Sequence, residues 1–255
     1  MTSIVRLISI MKRLREPQKG CPWDLAQTPQ SLKEYILEEA HEVIEAIDQD
    51  DPQKIAEELG DLLLQIVFLA QIFSEREEFS LMEVAEKLND KLVRRHPHIF
   101  AQGQARDAEE VRRNWEQIKM AEKGKKSVVS DYPATMPALL TAKRISAQAS
   151  TVGFDWHDAT QAMDKVREET AELDREIAAG DLSRAEAELG DLLFATANVA
   201  RLLKVNPEFA LSRTNRKFIR RFRAIEAEIR QRGGDIGQTP LAEMEEIWER
   251  AKREE

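Results

Sequence analysis

The sequence has little of what several common protein classes need. It contains one cysteine, Cys21, which excludes an intrachain disulfide and a metal site built on several thiolates. No apolar run approaches the roughly 20 residues of a membrane span, and the N-terminus does not resemble a signal peptide. With 10 glycines, 9 prolines and 6% aromatic residues among 255, the composition disfavours a turn-rich β protein. We therefore expect a soluble, reduced, cytoplasmic protein.

The charge balance narrows the range of partners. The formal net charge is −9, and 33% of the residues are charged. An excess of acid disfavours a generally basic groove for nucleic acid and an anchor for anionic membranes. We expect neither nucleic acid nor membrane as a partner.

The pattern of apolar residues predicts helices throughout. Residues 32–47 place apolar side chains three or four positions apart, similar patterns follow along the chain, and no segment alternates with period two. The fold class is therefore predicted to be all-α. A polar stretch rich in helix breakers, 123–137, is a candidate linker between domains at 1–122 and 138–255.

Four motifs recur in the same order in both halves of the chain. The acidic segments 38–42 and 58–63 return, each shifted by 130 positions, at 168–172 and 188–193. The other repeats pair Lys91 and Arg95 with Lys217 and Arg221, and Trp115 with Trp248. The sequence thus predicts a tandem repeat of one helical unit.

The repeated acids share helix faces. Carboxylates three positions apart lie about 60° apart around a helix. If each half folds as an antiparallel helix pair turning at residue 50 or at Gly180, its four acids come level with one another. They are Glu39, Glu42, Glu58 and Asp61 in the first half, and Glu169, Glu172, Glu188 and Asp191 in the second.

Four carboxylates beside apolar residues repel one another unless they protonate or bind a cation. A set that lacks histidine and cysteine favours Mg²⁺, or Mn²⁺, over Zn²⁺. The alternative is that each acidic cluster is an ordinary solvated helix face. Gly60 and Gly190, inside strong helical patterns, suggest close backbone approach beside the acids or simple helix packing.

The basic motif suits a polyphosphate. Lys217 and Arg221 lie one turn apart, and such a cationic patch beside a metal site binds phosphate oxygens. An ordinary charged helix surface has the same pattern. Trp248 either stacks on a nucleobase or anchors helix packing.

Together these residues resemble the MazG family of nucleoside triphosphate pyrophosphohydrolases. The similarity extends over nearly the whole chain and includes the acidic pairs and the motifs at 20–24, 95–100, 114–116 and 152–156. It implies two tandem helical-bundle domains, with a four-helix-type catalytic unit completed in a homodimer. The implied reaction converts NTPs and dNTPs to the monophosphate and pyrophosphate with Mg²⁺.

The resemblance also implies roles for individual residues. Glu169, Glu172, Glu188 and Asp191 resemble the metal ligands, and Glu168 is the candidate for activating the attacking water. The predicted phosphate and nucleotide contacts are Lys165, Arg184, Lys217, Arg221 and Trp248.

The two halves differ beside the acids. Lys165 and Arg175 of the second half correspond to Tyr35 and Glu45 of the first. In two-repeat relatives the C-terminal half often carries the main activity, and the extra cations agree with that assignment. The competing hypothesis is a non-catalytic helical interaction or regulatory module.

Overall fold

Helices are the regular elements of this chain, as described by a computed structural model over residues 2–122, 127–129 and 131–254. No strand occurs within these ranges, so the all-α prediction is confirmed. The helices are α1 Ser3–Leu14, α2 Pro22–Ala26, α3 Leu32–Gln49, α4 Pro52–Glu75, α5 Leu81–Arg95, α6 Pro97–Phe100, α7 Ala108–Glu122, α8 Ala138–Ser150, α9 Ala159–Ala179, α10 Leu182–Leu202, α11 Pro207–Gln231 and α12 Leu241–Arg253, with a 3₁₀ turn at Ile236–Gln238.

The chain divides into two compact units, Met1–Lys119 and Met120–Glu255. Each unit contains one of the two acid-bearing helix pairs, α3–α4 in the first and α9–α10 in the second. The domain limits at 1–122 and 138–255 stay predictions. Residues 123–126 and 130 of the predicted linker lie outside the described residues.

In both helix pairs, the residues of the turn end the first helix and start the second. In the first unit Asp50 ends α3 in the left-handed region at φ 54°, and the Asp51 carboxylate accepts hydrogen bonds from the first turn of α4. In the second unit Gly180 takes the left-handed position at φ 73°, and Asp181 accepts from the backbone N–H of Arg184 at 3.1 Å. An acceptor side chain at this position satisfies amides that have no partner inside the helix. The turns therefore lie at the mirror points that the acid spacing predicted.

Each unit has its own apolar core. In the first, Met11 of α1, Leu32 of α3 and Val67, Phe68 and Ile72 of α4 pack together. In the second, Ile225 and Ile229 of α11 pack with Ile247 of α12, while Ala195 and Ala197 of α10 are buried. Burial of one such large apolar side chain stabilises by about 1.5–3 kcal/mol. The acid-bearing helices are thus held by packed neighbours.

The glycines beside the acids do not mark a close backbone approach in this structure. A Cβ placed on Gly60 or on Gly190 meets no atom within 4 Å, although both residues lie inside helices. The interpretation of close backbone approach is therefore wrong for the chain by itself. Each glycine instead lowers the stability of its helix, because glycine loses more conformational entropy on folding than any other residue.

Replacing Gly190 by alanine is expected to stabilise the second unit by about 0.5–1 kcal/mol, because alanine restricts the unfolded chain and meets open space in the helix. Urea denaturation followed by circular dichroism measures the change. The control is Gly180→Ala, which is expected to destabilise by about 1 kcal/mol because its φ is +73°. Destabilisation by Gly190→Ala would instead indicate that another chain contacts this helix.

Candidate metal and nucleotide site

Three of the four predicted carboxylates come together in each unit. In the first, oxygens of Glu39 from α3 and of Glu58 and Asp61 from α4 lie within 4.8 Å of one another. In the second, the group is Glu169, Glu172 and Glu188, contributed by α9 and α10. The helix turns explain this convergence, because they bring the two acidic segments of each unit level with each other.

The remaining acid differs between the units. In the first it is Glu42, which lies outside the group but close enough to raise the pKa of Glu58. In the second it is Asp191, exposed on α10, whose charge raises the pKa of Glu188. The fourth carboxylate is therefore an electrostatic neighbour of the group in both units, and in the first unit it also shares a hydrogen bond with Glu58. Its role as a ligand stays a prediction.

Loss of hydration and repulsion by neighbouring carboxylates raise the pKa of three of these acids, Glu188, Glu39 and Glu58. Partial burial raises the pKa of Glu188 above its usual value, and the charges of Glu172, Glu169 and Asp191 raise it further. Partial burial also raises the pKa of Glu39, and the charges of Asp61, Glu42 and Glu38 add to it. Clustered carboxylate oxygens of this kind suit a hard divalent cation. The donor set suits Mg²⁺ or Mn²⁺, and the identity of the metal stays a prediction.

A lysine ammonium lies against the second group. Lys165 Nζ is 2.6 Å from an oxygen of Glu169 and 2.9 Å from an oxygen of Glu168. These two carboxylates raise the pKa of Lys165 well above its ordinary value, with Glu169 the larger cause. Lys165 was predicted to contact phosphate, yet here it pairs with a predicted metal ligand and with the predicted water-activating residue.

Two other cations predicted for the site, Arg184 and Lys217, are exposed to solvent. Arg184 is exposed near the start of α10, and its Nε lies 3.6 Å from the carboxylate of Asp181. Lys217 is exposed on α11, one turn before Arg221. Both are placed to reach solvent, so their phosphate contacts stay predictions.

Trp248 lies beside the predicted cation Arg221. The Arg221 guanidinium is 5.3 Å from the centre of the indole ring, and the ring of Phe218 is 5.1 Å away. The two rings border an open groove of about 580 Å³ between α11 and α12, lined mainly by apolar residues that include Phe222 and Met244. Trp248 also packs against the core of the second unit. Trp248 can therefore anchor the packing of the second unit and also offer a stacking surface at the groove.

The first unit repeats the pairing of arginine with tryptophan. The guanidinium of Arg95 is 5.0 Å from the ring of Trp115, and the ring of His96 is 5.1 Å away. His96 occupies the position of Phe222 at the 126-residue shift of the basic motif. The duplication thus extends beyond the acids to a cation–aromatic pair.

Several residues of the candidate site were missed from the sequence. Gln65 donates from its side-chain amide to Glu39 at 3.4 Å, and Phe218 and Phe222 line the groove beside Trp248. A sequence signal for Gln65 was available. At the shift of 130 positions, glutamine in the first half corresponds to Ala195 in the second, so the two halves differ at this point beside the acids. The phenylalanines gave a weaker signal, since they resemble ordinary apolar positions of a helix.

None of the helices in the described ranges combines the length and the hydropathy of a membrane span. The cytoplasmic location and the absence of a nucleic-acid partner stay predictions.

Comparison with known proteins identifies the family. The model of the MazG nucleotide pyrophosphohydrolase domain matches the chain twice, at residues 27–100 and 157–225. The chain belongs to the MazG family. This confirms the resemblance, the tandem repeat of MazG domains and the prediction of an enzyme.

Relatives that match nearly the whole of this chain support its assignment to the MazG family. The chain is 44% identical over 260 residues to a nucleoside triphosphate pyrophosphohydrolase of Escherichia coli, covering 100% of this chain and 99% of the relative. It is 45% identical over 248 residues to the nucleoside triphosphate pyrophosphohydrolase/pyrophosphatase MazG of Thermotoga maritima, covering 96% and 94%. The uncharacterised protein YabN of Bacillus subtilis is 44% identical over 250 residues, which cover 97% of this chain and 51% of YabN.

Proposed function

We propose that the chain is a magnesium-dependent nucleoside triphosphate pyrophosphohydrolase that converts NTPs and dNTPs to the monophosphate and pyrophosphate. The observation that carries this proposal is the convergence of Glu169, Glu172 and Glu188 in the second MazG domain. The two named relatives that match over nearly their full length support the reaction class.

Magnesium, or manganese in its place, would be held by Glu169, Glu172 and Glu188, with Asp191 as the fourth ligand. All four offer carboxylate oxygens, the donors that these ions prefer. A bound ion of this kind supplies charge neutralisation for phosphates and activation of the attacking water.

The reaction is attack of water on the α-phosphorus. A bond forms between the water oxygen and this phosphorus, the bond to the oxygen that bridges to the β-phosphorus breaks, and pyrophosphate leaves. Glu168 accepts the proton of the water; its side chain is exposed on α9 beside Glu169. This assignment is favoured because a general base has to come within hydrogen-bond reach of the water that it deprotonates.

The cations and the groove hold the substrate. Lys165, Arg184, Lys217 and Arg221 contact the phosphates and stabilise the charge that develops on the leaving pyrophosphate. The nucleobase stacks on Trp248 at the groove between α11 and α12, where the Arg221 guanidinium is already against the ring. The triphosphate then lies on the side of Trp248 where the Arg221 guanidinium is.

The second half is the main catalytic half in this proposal. It has Lys165 and Arg175 beside its acids, where the first half has Tyr35 and Glu45. The first half then serves a structural, regulatory or weakly active function.

A homodimer is part of the proposal. Large apolar side chains are exposed on acid-bearing and neighbouring helices, among them Leu189, Leu193, Phe218 and Ile219. Exposed large apolar side chains on a packed set of helices support an interface with a second copy of the chain. Sedimentation equilibrium tests the dimer, and a mass equal to the 29.2 kDa of one chain contradicts it.

Incubation with each NTP and dNTP in the presence of Mg²⁺ is expected to release monophosphate and pyrophosphate in equal amounts. Anion-exchange chromatography identifies the products. In water enriched in ¹⁸O, the label is expected in the monophosphate, because the α-phosphorus is attacked; label in pyrophosphate would instead place the attack at the β-phosphorus. Orthophosphate as the direct product, or no turnover of any NTP, would contradict the proposal and favour the interaction-module hypothesis.

A further inference from the structure

One side chain of the second unit contacts two predicted functional carboxylates at once. Lys165 Nζ lies 2.6 Å from Glu169 and 2.9 Å from Glu168. The Glu169 side chain is only 5% exposed, whereas that of Lys165 is 38% exposed. A buried carboxylate is therefore neutralised by a cation that reaches it from the surface.

The first unit lacks this arrangement. Tyr35 stands at the position of Lys165, and Glu39 instead accepts a hydrogen bond from the neutral amide of Gln65 at 3.4 Å. The second unit has Ala195 at the position of Gln65. The equivalent carboxylates Glu39 and Glu169 thus have a neutral partner in one unit and a cationic partner in the other.

The cationic partner has a consequence for metal binding. An ammonium at 2.6 Å holds one of the two oxygens that Glu169 can offer a metal ion, and two cations about 4 Å apart repel strongly near a protein surface. Lysine has a flexible stem of four carbons, so its ammonium is free to move to another anion such as a phosphate. Gln65 of the first unit carries no charge and presents no such conflict.

Resting on the function proposed above, we propose that Lys165 is an internal counter-ion that competes with magnesium for Glu169 until a triphosphate draws its ammonium away. Metal and nucleotide then bind the second unit cooperatively, and each raises the affinity for the other. The first unit, which has Tyr35 and Gln65, binds metal without this coupling. Lys165 is in this respect a positioning residue that acts through Glu169.

Calorimetric titration of the full chain with MgCl₂, without nucleotide, tests the proposal. All proteins carry Glu39→Gln, which removes a ligand of the first cluster so that the second cluster dominates the signal. Lys165→Met is expected to raise the affinity for Mg²⁺ at least about tenfold, because it removes a competing charge whose flexible stem relieves only part of the repulsion. Lys165→Tyr, the residue of the first half, is expected to act in the same direction.

Arg167→Met is the matched control. It removes one positive charge from the same helix, but Arg167 pairs with Asp164 at 2.5 Å and both side chains are largely exposed. Its effect on Mg²⁺ affinity is expected to stay within about twofold, because exposed charges are screened.

Unchanged or weaker Mg²⁺ binding in both Lys165 variants would overturn the counter-ion proposal. A lower melting temperature together with weaker binding would assign Lys165 a purely structural role, which overturns it as well. Absence of Mg²⁺ binding in every protein would contradict the metal site and this proposal together. If the affinity rises as expected but no NTP is hydrolysed, the proposed function fails and the competition between Lys165 and Mg²⁺ stands.

Discussion

Glu188→Gln is expected to lower kcat for pyrophosphate release by about 10³-fold, because it removes one charged oxygen, a proposed metal ligand, from the cluster on α9 and α10. The matched change in the other half is Glu58→Gln, which alters the equivalent residue of the first cluster. That variant is expected to keep kcat within about threefold of the parent, since small effects are typical away from the reacting centre. Initial rates at saturating NTP and Mg²⁺ measure both variants.

Stability separates a lost metal ligand from a damaged fold. Burial and neighbouring carboxylates raise the pKa of Glu188, so the neutral glutamine is expected to leave the melting temperature of the metal-free protein unchanged or higher. A large loss of kcat in Glu58→Gln, with full activity in Glu188→Gln, would show that the active half is the first one. Equal losses in both variants would show that the two halves act together.

Arg15→Met is expected to destabilise the first unit by about 3 kcal/mol. The Arg15 side chain is only 7% exposed and pairs in two-pronged fashion with Glu75, at 2.9 Å from Nε and 2.8 Å from Nη2. It also donates to the backbone carbonyl of Asp24, and its guanidinium lies 5.4 Å from the ring of Phe68. Removing it separates the end of α1 from the end of α4 and leaves Glu75 without its main partner.

Hydrogen exchange in α1 and α4, together with urea denaturation, measures this loss. Arg13→Met is the control, because Arg13 is exposed on the same helix and its replacement is expected to cost under about 0.5 kcal/mol. Equal effects of the two substitutions would show that the pair with Glu75 contributes no specific stability.

The same pair predicts a dependence on pH. Burial alone raises the pKa of Glu75, but hydrogen bonds from Arg15 and Gln71 and the Arg15 charge together lower it below the ordinary value of 4.5. A carboxylate with a lowered pKa stabilises the fold above the pKa of the unfolded chain, and loses this contribution as the pH falls through the folded value. The stability difference between the parent and Arg15→Met is therefore expected to be full at neutral pH and to shrink below about pH 4.5.

Turn positions and helix faces could be predicted because they depend on neighbours in the sequence. The mirror spacing of the acids placed the turns at residues 50 and 180, where the structure has Asp50 and Gly180 in the left-handed region. Aspartate takes this conformation less readily than glycine, so the second turn was the easier of the two to recognise.

Side-chain contacts could not be read in the same way. Spacing predicted four equal carboxylates, but a helix face allows several rotamers, and three of the four converge in each unit. It also placed Lys165 one turn from the acids without indicating that Glu169, rather than a phosphate, is its partner in the chain alone. The open space around Gly190 depends on what packs beside α10, which no local pattern encodes.

The contact between Arg221 and Trp248 gives the second unit an optical reporter of occupancy. Indole emission responds to a charge held 5.3 Å from the ring, so a triphosphate that binds as proposed and withdraws the guanidinium is expected to change the fluorescence of Trp248 before any bond is broken. Substrate entry is thereby observable separately from chemistry, even in a variant that releases no pyrophosphate.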